Sequence, residues 1–177
     1  MVKHKGTIDN KITGFPPIVR EDARVLVLGS MPGAASLAAG EYYAHPQNAF
    51  WPVMREIFGA AEFWSYAEKT ALLLENRIAL WDVFKYCARE GSLDSAIKNG
   101  ALNDFAAFFG AYPQITHVFF NGKKAEKEFL KYARPVLPRP DLVFHGLPST
   151  SPAMAMMTRA EKTAAWRAVA EALRTAL

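Results

Sequence analysis

The sequence predicts an α/β fold, a three-layer α/β/α sandwich built on a central four-stranded parallel sheet. Four short apolar segments, residues 24–28, 77–83, 116–120 and 141–145, have the composition of buried strands. Segments with helical spacing of apolar residues separate them, and this alternation is typical of a parallel sheet with helices on both faces. The length of 177 residues fits one compact domain, so we expect residues 1–177 to form a single unit.

Helices are predicted between these strands from the positions of apolar and capping residues. Residues 46–58 and 122–132 each place apolar side chains on one face at helical spacing, and the second segment is rich in lysine. Residues 67–75 fit either a short helix or an irregular connection. Another helix can start at a cap formed by Asn103 and Asp104.

The two ends of the chain differ in character. Thr158 and Glu161 have the T-x-x-E spacing of a capping box, which predicts the start of the last helix. The buried stripe of that helix is expected to be Trp166, Val169 and Leu173. Residues 1–20 are polar and contain a Pro-Pro pair, so we expect an irregular N-terminal arm.

The composition limits the classes of partner and cofactor. A formal net charge of +4 and a sequence pI of about 9.2 allow a polyanionic partner such as nucleic acid without requiring one. The single cysteine, Cys87, excludes an internal disulfide and a cysteine-ligated cluster, and the four histidines lack metal-ligand spacing. We expect no metal and no cofactor. No segment resembles a signal peptide or a membrane span, so we expect a cytoplasmic protein, and we expect it to be a monomer.

A functional site is expected where the strands of the predicted sheet end. Parallel sheets bind ligands beyond the carboxyl ends of their strands. Polar or Gly/Pro-rich segments follow all four predicted strands, at residues 29–33, 82–85, 121–123 and 147–152. Because these ends meet at one edge of the sheet, one cleft can collect all four segments.

The segment after the first strand is a tight, glycine-containing turn. It consists of Gly29, Ser30, Met31, Pro32 and Gly33. Glycines permit a close approach of another part of the chain, although an ordinary turn between a strand and a helix has the same pattern. The segment matches neither the phosphate-binding loop nor the dinucleotide fingerprint.

Residues 42–51 combine aromatic and amide side chains that suit a nucleobase. The Tyr43 ring can stack on a base, and the Asn48 amide can read a base edge or position a water molecule. The alternative is that these are structural residues. We interpret Phe50 and, in the main, Trp51 as core, and His45 can be a loop residue.

Asn121 and the hydroxyl-rich segment before the last helix are further candidates. Asn121 lies where the third strand meets a helix, so it can hold an electron-rich ligand or cap the helix. The hydroxyl groups at Ser149, Thr150 and Ser151 can bind phosphates, although a solvated turn has the same composition. Lys123 is interpreted as part of a solvated helix face and not as a Schiff-base lysine.

These segments resemble motifs of the uracil-DNA glycosylase superfamily. Residues 25–33 and 42–51 are similar to the first motif of the mismatch-specific uracil/thymine DNA glycosylases, residues 120–123 to their third-strand segment, and residues 147–153 to their last, Pro-Ser-rich loop. Order and spacing agree, so the resemblance spans roughly residues 24–157. The resemblance implies the fold of that superfamily, a four-stranded parallel sheet between helices, and the strand pattern predicts such a sheet independently.

One position departs from that pattern. The relatives carry a catalytic Asn just before the proline of the first motif, whereas this chain has Met31, whose thioether cannot orient a water molecule. Ser30-Met31 together with Asn48 and Asn121 is most similar to the hypoxanthine/xanthine-DNA glycosylase branch. The resemblance implies that Asn48 and Asn121 are catalytic, one positioning water and the other contacting the base, in an order that stays open.

The remaining site residues are expected to bind the base or the DNA. The expected base-binding residues are Gly29, Ser30, Met31, Pro32, Gly33, Tyr43 and His45. The expected DNA-binding residues are Pro148, Ser149, Thr150, Ser151 and Met154. Met154 or a neighbour is expected to fill the space that a flipped base vacates. Asp82 is a weaker candidate for activating water and is alternatively a structural residue of the second strand.

The expected activity is that of a monofunctional DNA glycosylase of base-excision repair. It would hydrolyse the N-glycosidic bond of a flipped, deaminated base in DNA, hypoxanthine or alternatively xanthine or uracil. Two other functions stay open. A catalytically weakened DNA-binding member of the same fold would bind DNA and release no base, and a flavodoxin-like small-molecule enzyme would have no affinity for DNA.

Overall fold

The computed structural model describes residues 11–60 and 65–175. In this part of the chain the strands are β1 (Lys11–Thr13), β2 (Val25–Gly29), β3 (Ile78–Asp82), β4 (Phe84–Ala88), β5 (Lys98–Leu102), β6 (His117–Asn121) and β7 (Val143–Leu147). Four of them form a parallel sheet in the order β3-β2-β6-β7. The predicted four-stranded parallel sheet is confirmed.

The strand ends of this sheet place the site. Gly29 pairs with Asp82, and Asn121 pairs with Leu147, so the carboxyl ends of all four strands lie along one edge. Every residue of β2 is buried, which explains its continuous apolar sequence without alternation. The fourth strand lies two residues beyond the predicted 141–145, because Asp141 belongs to a turn and pairing continues to Leu147.

Helices cover both faces of the parallel sheet. They are α1 (Ala34–Ala39), α2 (Phe50–Phe58), α3 (Tyr66–Glu75), α4 (Phe105–Ala111), α5 (Lys123–Glu128) and α6 (Arg159–Thr175). Helices α2, α3 and α6 pack on one face, while α4 and α5 pack on the other. Among the helices of the described residues, none is both long and apolar enough to cross a membrane.

Most helix predictions agree with the structure, with differences at the ends. Thr158 and Glu161 form the predicted capping box, with backbone-to-side-chain distances of 2.7 and 3.2 Å. Helix α2 starts at Phe50 and not at residue 46, because the preceding residues form a turn in which the Asn48 N–H donates to His45. Helix α5 is shorter than predicted, since the chain continues from Phe129 as a π-helical turn.

A second, three-stranded antiparallel sheet in the order β1-β4-β5 was not predicted. Lys11, Ile12 and Thr13 pair with β4, and Ile18 forms an isolated bridge with Leu80. The prediction of an irregular arm over residues 1–20 is therefore wrong for these positions, while residues 1–10 lie outside the described part. β1 has only three residues and β5 is largely exposed, so neither is long or apolar enough to be identified as a strand from the sequence.

Candidate active site

A cavity of about 640 Å³ lies at the carboxyl edge of the parallel sheet. All the sequence-predicted site residues line it, namely Gly29, Ser30, Met31, Pro32, Gly33, Tyr43, His45, Asn48, Asn121, Pro148, Ser149, Thr150, Ser151 and Met154. Asp82 and residues 92–95, from the connection between β4 and β5, complete the wall. The volume falls in the roughly 300–1,000 Å³ range of small-molecule sites.

Gly29 is required by the close approach of two side chains. A Cβ atom at this position would lie 2.5 Å from Asp82 Oδ1 and 2.7 Å from the Tyr43 hydroxyl oxygen. A side chain here would displace both groups, so glycine lets Asp82 and the Tyr43 hydroxyl lie this close to the end of β2. This contact makes the turn after β2 more than an ordinary turn.

Met31 has a structural role in addition to its place in the cavity wall. It is buried and forms a small apolar cluster with Phe84 and Cys87 of β4 and with Ile97, which precedes β5. Its neighbour Ser30 donates a hydrogen bond of 2.5 Å to Asp94 Oδ1. The turn after β2 is thus attached to β4 by apolar contacts and to the connection between β4 and β5 by a hydrogen bond.

Tyr43 is held in an uncommon backbone conformation beside Phe50. Its φ angle is 55°, and the two ring centroids lie 4.3 Å apart at an interplanar angle of 32°. Burial raises the pKa of the hydroxyl, and the nearby Asp82 adds to the rise while Asn121 opposes it. Residues with positive φ other than glycine are strained and concentrate at functional sites.

Asn48 is oriented by the first turn of α2. Its Oδ1 accepts a hydrogen bond of 2.9 Å from the Phe50 backbone N–H. Its Nδ2 has no partner among the residues that the structure describes, and the side chain lines the cavity. The fixed carbonyl leaves the amide N–H groups as the available donors. His45 is exposed nearby, and its Nδ1 accepts from the Gln47 N–H.

Asn121 is clamped by the loop before α6. Its Nδ2 donates to Thr150 Oγ1, and its Oδ1 accepts from the Thr150 backbone N–H, both at 2.9 Å. The helix-cap alternative is not what the structure contains, because Gly122 is the capping residue of α5 and no side chain caps it. The amide of Asn121 is therefore rigid, with one N–H and one lone pair still available.

The loop of residues 148–154 is fixed at several points. Trp166 Nε1 donates to the Pro148 carbonyl at 2.9 Å, and the Ala49 N–H donates to the Thr150 carbonyl at the same distance. Lys162, which is only 5% exposed, donates to the Met154 carbonyl at 2.9 Å. Burial lowers the pKa of this lysine. Thr150 is fully buried, so the loop is an anchored element and not simply a solvated turn.

Asp82 is a buried carboxyl group in the cavity wall. It is 3% exposed, and its Oδ2 has no hydrogen-bond partner within the described part of the chain. Burial raises the pKa of Asp82 to about 7, Asp94 raises it further, and Arg89 opposes the rise. Arg89 is itself buried and donates to the Pro32 carbonyl. Sequence reasoning identifies Asp82 only as a weaker candidate and does not identify Asp94.

Comparison with known proteins identifies the family. The model of the uracil DNA glycosylase superfamily matches residues 16–174. Two proteins named hypoxanthine DNA glycosylase, from Methanosarcina barkeri and Methanosarcina acetivorans, are each 40% identical to this chain over 116 and 113 residues. These alignments cover 65% and 63% of this chain and 73% and 72% of the relatives.

The structural comparison agrees with the family match. The solution NMR structure of a candidate uracil DNA glycosylase from Methanosarcina acetivorans has a TM-score of 0.75 and 34% sequence identity with this chain. The match covers 90% of this chain and 99% of that structure. Sequence and fold together show that the chain belongs to the uracil DNA glycosylase superfamily.

Proposed function

We propose that this protein is a monofunctional DNA glycosylase that hydrolyses the N-glycosidic bond of hypoxanthine in DNA. The superfamily membership and the names of the relatives support the activity and the base. The observation that carries the proposal is that Asn48, Asn121 and the anchored loop of residues 148–154 share one cavity. We further propose that residues 1–177 act as one domain and as a monomer in the cytoplasm.

The target nucleotide must leave the duplex before its base can enter this cavity. Flipping costs a few kcal/mol and costs least at mispaired or damaged bases. In our proposal Ser149 and Ser151, with the backbone N–H groups of their loop, hold the phosphates beside the flipped nucleotide. Because Thr150 is buried and bonded to Asn121, phosphate binding on this loop would be transmitted directly to the catalytic amide.

The flipped base would lie between Tyr43 and the turn after β2. The Phe50 ring packs against the Tyr43 ring, and this contact holds the Tyr43 ring in position for stacking on a base. Backbone groups of Ser30, Met31 and Pro32 border the same cavity and can contact the base edge. His45, more exposed, lies at the cavity wall and can contact the sugar or phosphate.

Hydrolysis would proceed through an oxocarbenium-like sugar with negative charge on the departing base. Neither Asn48 nor Asn121 can remove a proton from water, so the proposed pathway is dissociative. The C–N bond breaks first, an oriented water molecule then adds to the sugar carbon, and the proton that it loses is taken up by the anionic base. Rigid donors aimed at developing charge are usually the largest catalytic contribution. The free amide N–H groups of Asn48 and the remaining N–H of Asn121 are the donors available for this task.

The space left in the duplex would be filled by a methionine at the end of the loop of residues 148–154 or just after it. Met154 lines the cavity and is half-buried, whereas Met156 is 92% exposed. An apolar side chain that protrudes into solvent beside a DNA-binding loop is suited to insertion between bases. We therefore propose Met156, a neighbour of the sequence-predicted Met154, as the inserting residue.

The test is a base-release assay on duplex and single-stranded oligonucleotides that contain hypoxanthine, xanthine, uracil or only normal bases. We expect release of hypoxanthine and no release from the normal duplex. If the protein binds the duplexes but releases no base from any of them, it is a DNA-binding member without activity and the proposal is wrong. If it neither binds nor cuts, the DNA-directed interpretation fails altogether.

A further inference from the structure

Leu93 is an exposed apolar side chain in the wall of the candidate active site. It is 59% exposed and lines the cavity. The other exposed large apolar side chains of the described residues lie outside the cavity wall, namely Leu130, Tyr132, Val136, Val143 and Met156. A single exposed leucine is common on protein surfaces, so exposure alone decides nothing. Its place at the cavity and the way its segment is held are what point to a contact with the substrate.

The segment that carries Leu93 belongs to the connection between β4 and β5 and is attached at three points to the turn after β2 and the start of α1. The Arg89 guanidinium donates to the Pro32 carbonyl, the Ala34 N–H donates to Ser92 Oγ at 2.8 Å, and the Ser30 hydroxyl donates to Asp94 Oδ1 at 2.5 Å. Because these bonds lie on both sides of Leu93 in the sequence, they fix the backbone around it. The side chain itself is left exposed and is thus held in place before any ligand binds.

The topology of the parallel sheet places this segment and the loop of residues 148–154 at opposite ends of the row of strand ends. The strand order is β3-β2-β6-β7. The loop follows β7, whereas β4 and the connection after it follow β3. Neighbouring strands lie about 4.8 Å apart, so the two end strands are separated by roughly 14 Å. The hydroxyl-rich loop therefore borders the cavity on the side of β7, and Leu93 borders it on the side of β3.

Depth in the cavity distinguishes Leu93 from the residues of the inner wall. Met31 and Asp82 are buried there, whereas Leu93 lies at the rim with more than half of its surface exposed. In the proposed reaction the flipped base enters the interior, and the nucleotide next to it stays at the rim. Flipping also exposes one face of that neighbouring base, since its stacking partner has left. Aliphatic side chains such as leucine pack against unstacked base faces in DNA complexes.

We propose that Leu93 packs against the exposed face of the base next to the flipped nucleotide, on the same strand. This inference rests on the proposed function and adds a DNA contact on the side of the cavity away from the loop of residues 148–154. The contact is made in the flipped state, so it stabilises that state and raises the rate of base release. It differs from the role proposed for Met156, because a neighbour on the same strand is present in single-stranded as well as duplex DNA.

The test measures single-turnover release of hypoxanthine from duplex and single-stranded oligonucleotides. Leu93→Ala should slow release about tenfold on both, because most of the apolar contact area is lost. Leu93→Met keeps an apolar side chain of similar size and should stay within about threefold of wild type. Leu130→Ala removes an exposed leucine outside the cavity wall and is the matched control, for which we expect the wild-type rate. Melting temperatures show whether each variant has folded.

Substrates that lack one neighbouring base identify the group that Leu93 contacts. A tetrahydrofuran abasic analogue replaces the nucleotide on the 5′ side of hypoxanthine in one substrate and on the 3′ side in the other. On one of these substrates the ratio of the wild-type rate to the Leu93→Ala rate should fall from about ten to about one, because the contact is already absent. On the other substrate the ratio should stay at about ten.

The outcomes separate this proposal from the proposed function. If wild type releases no base, the proposed function is wrong and the role of Leu93 falls with it. If wild type releases hypoxanthine and Leu93→Ala releases it equally fast, the leucine makes no contact that assists release and our proposal is overturned. It is also overturned if Leu93→Ala is slow on duplex DNA alone, or if the ratio of rates stays at about ten on both abasic substrates, since a purely structural role gives that result.

Discussion

Asn121 and Thr150 hold each other through two hydrogen bonds, both 2.9 Å long, between the end of β6 and the loop before α6. One bond uses the Thr150 hydroxyl and the other uses its backbone N–H. The pair joins a catalytic candidate to a DNA-binding candidate across 29 positions of sequence. Orientation of the amide and position of the loop therefore depend on each other.

Thr150→Val should separate the orientation of the Asn121 amide from the position of the loop. The substitution keeps the shape of the fully buried side chain but removes the acceptor for Asn121 Nδ2, which costs about 1–3 kcal/mol of stability. We expect base release to fall about tenfold or more, with a smaller change in duplex affinity. Thr150→Ser keeps the hydroxyl and is the matched control. Equal single-turnover rates for the Val and Ser variants would show that the hydroxyl does not orient Asn121.

Lys162 is predicted to fix the DNA-binding loop by a structural contact. Lys162→Met fills the same buried space but leaves the carbonyls of Ser151 and Met154 without their donor. We expect several-fold weaker duplex binding and faster hydrogen exchange of the loop amides. Lys127→Met removes the same charge from an exposed position and is the control. Identical loop exchange in both variants would contradict the anchoring role.

Met156 is predicted to act only on duplex DNA. Met156→Ala removes the exposed side chain proposed to stabilise the flipped state, so base release from duplex should fall about tenfold. Release from single-stranded DNA should change little, because no stack has to be filled. Met154→Ala is the comparison at the half-buried neighbour. An equal loss on both kinds of DNA would place Met156 in another role.

Local signals in the sequence are enough to predict the parallel sheet and the residues at its edge. β2 is a continuous apolar run that ends at glycine. Thr158 and Glu161 form a capping box that marks the start of α6, and this signal is local because it does not depend on distant segments. Because the ends of parallel strands meet at one edge, Asn121 could be placed near Gly29 without coordinates.

The features that were missed depend on contacts between distant segments. β1 pairs with β4 although Lys11 and Ala88 are far apart in sequence, and its three residues are too few to predict a strand. Asp94 belongs to the cavity only because the connection between β4 and β5 folds over the turn at Ser30. The high pKa of Asp82 arises from this burial, which no residue pattern reveals.

Asp82 should make the stability of the protein depend on pH. Its pKa rises from an ordinary value of 3.8 to about 7 on folding, so the folded state binds the proton more tightly than the unfolded state. Its contribution to stability is fully present below about pH 4 and is lost as pH rises through about 7. Between these limits, unfolding free energy should decline by up to roughly 4 kcal/mol relative to Asp82→Asn. Denaturant titrations of both proteins at several pH values measure this difference, and parallel pH profiles would contradict it.

The central claim is that two side-chain amides from different elements act on one flipped base. The most direct measurement is the single-turnover release of hypoxanthine from duplex DNA by wild type, Asn48→Ala and Asn121→Ala, with melting temperatures and duplex affinities as controls. We expect each variant to bind DNA but to release base at least about 100-fold more slowly, as the loss of a preorganised donor does elsewhere. Wild-type release rates in both folded variants would contradict the account.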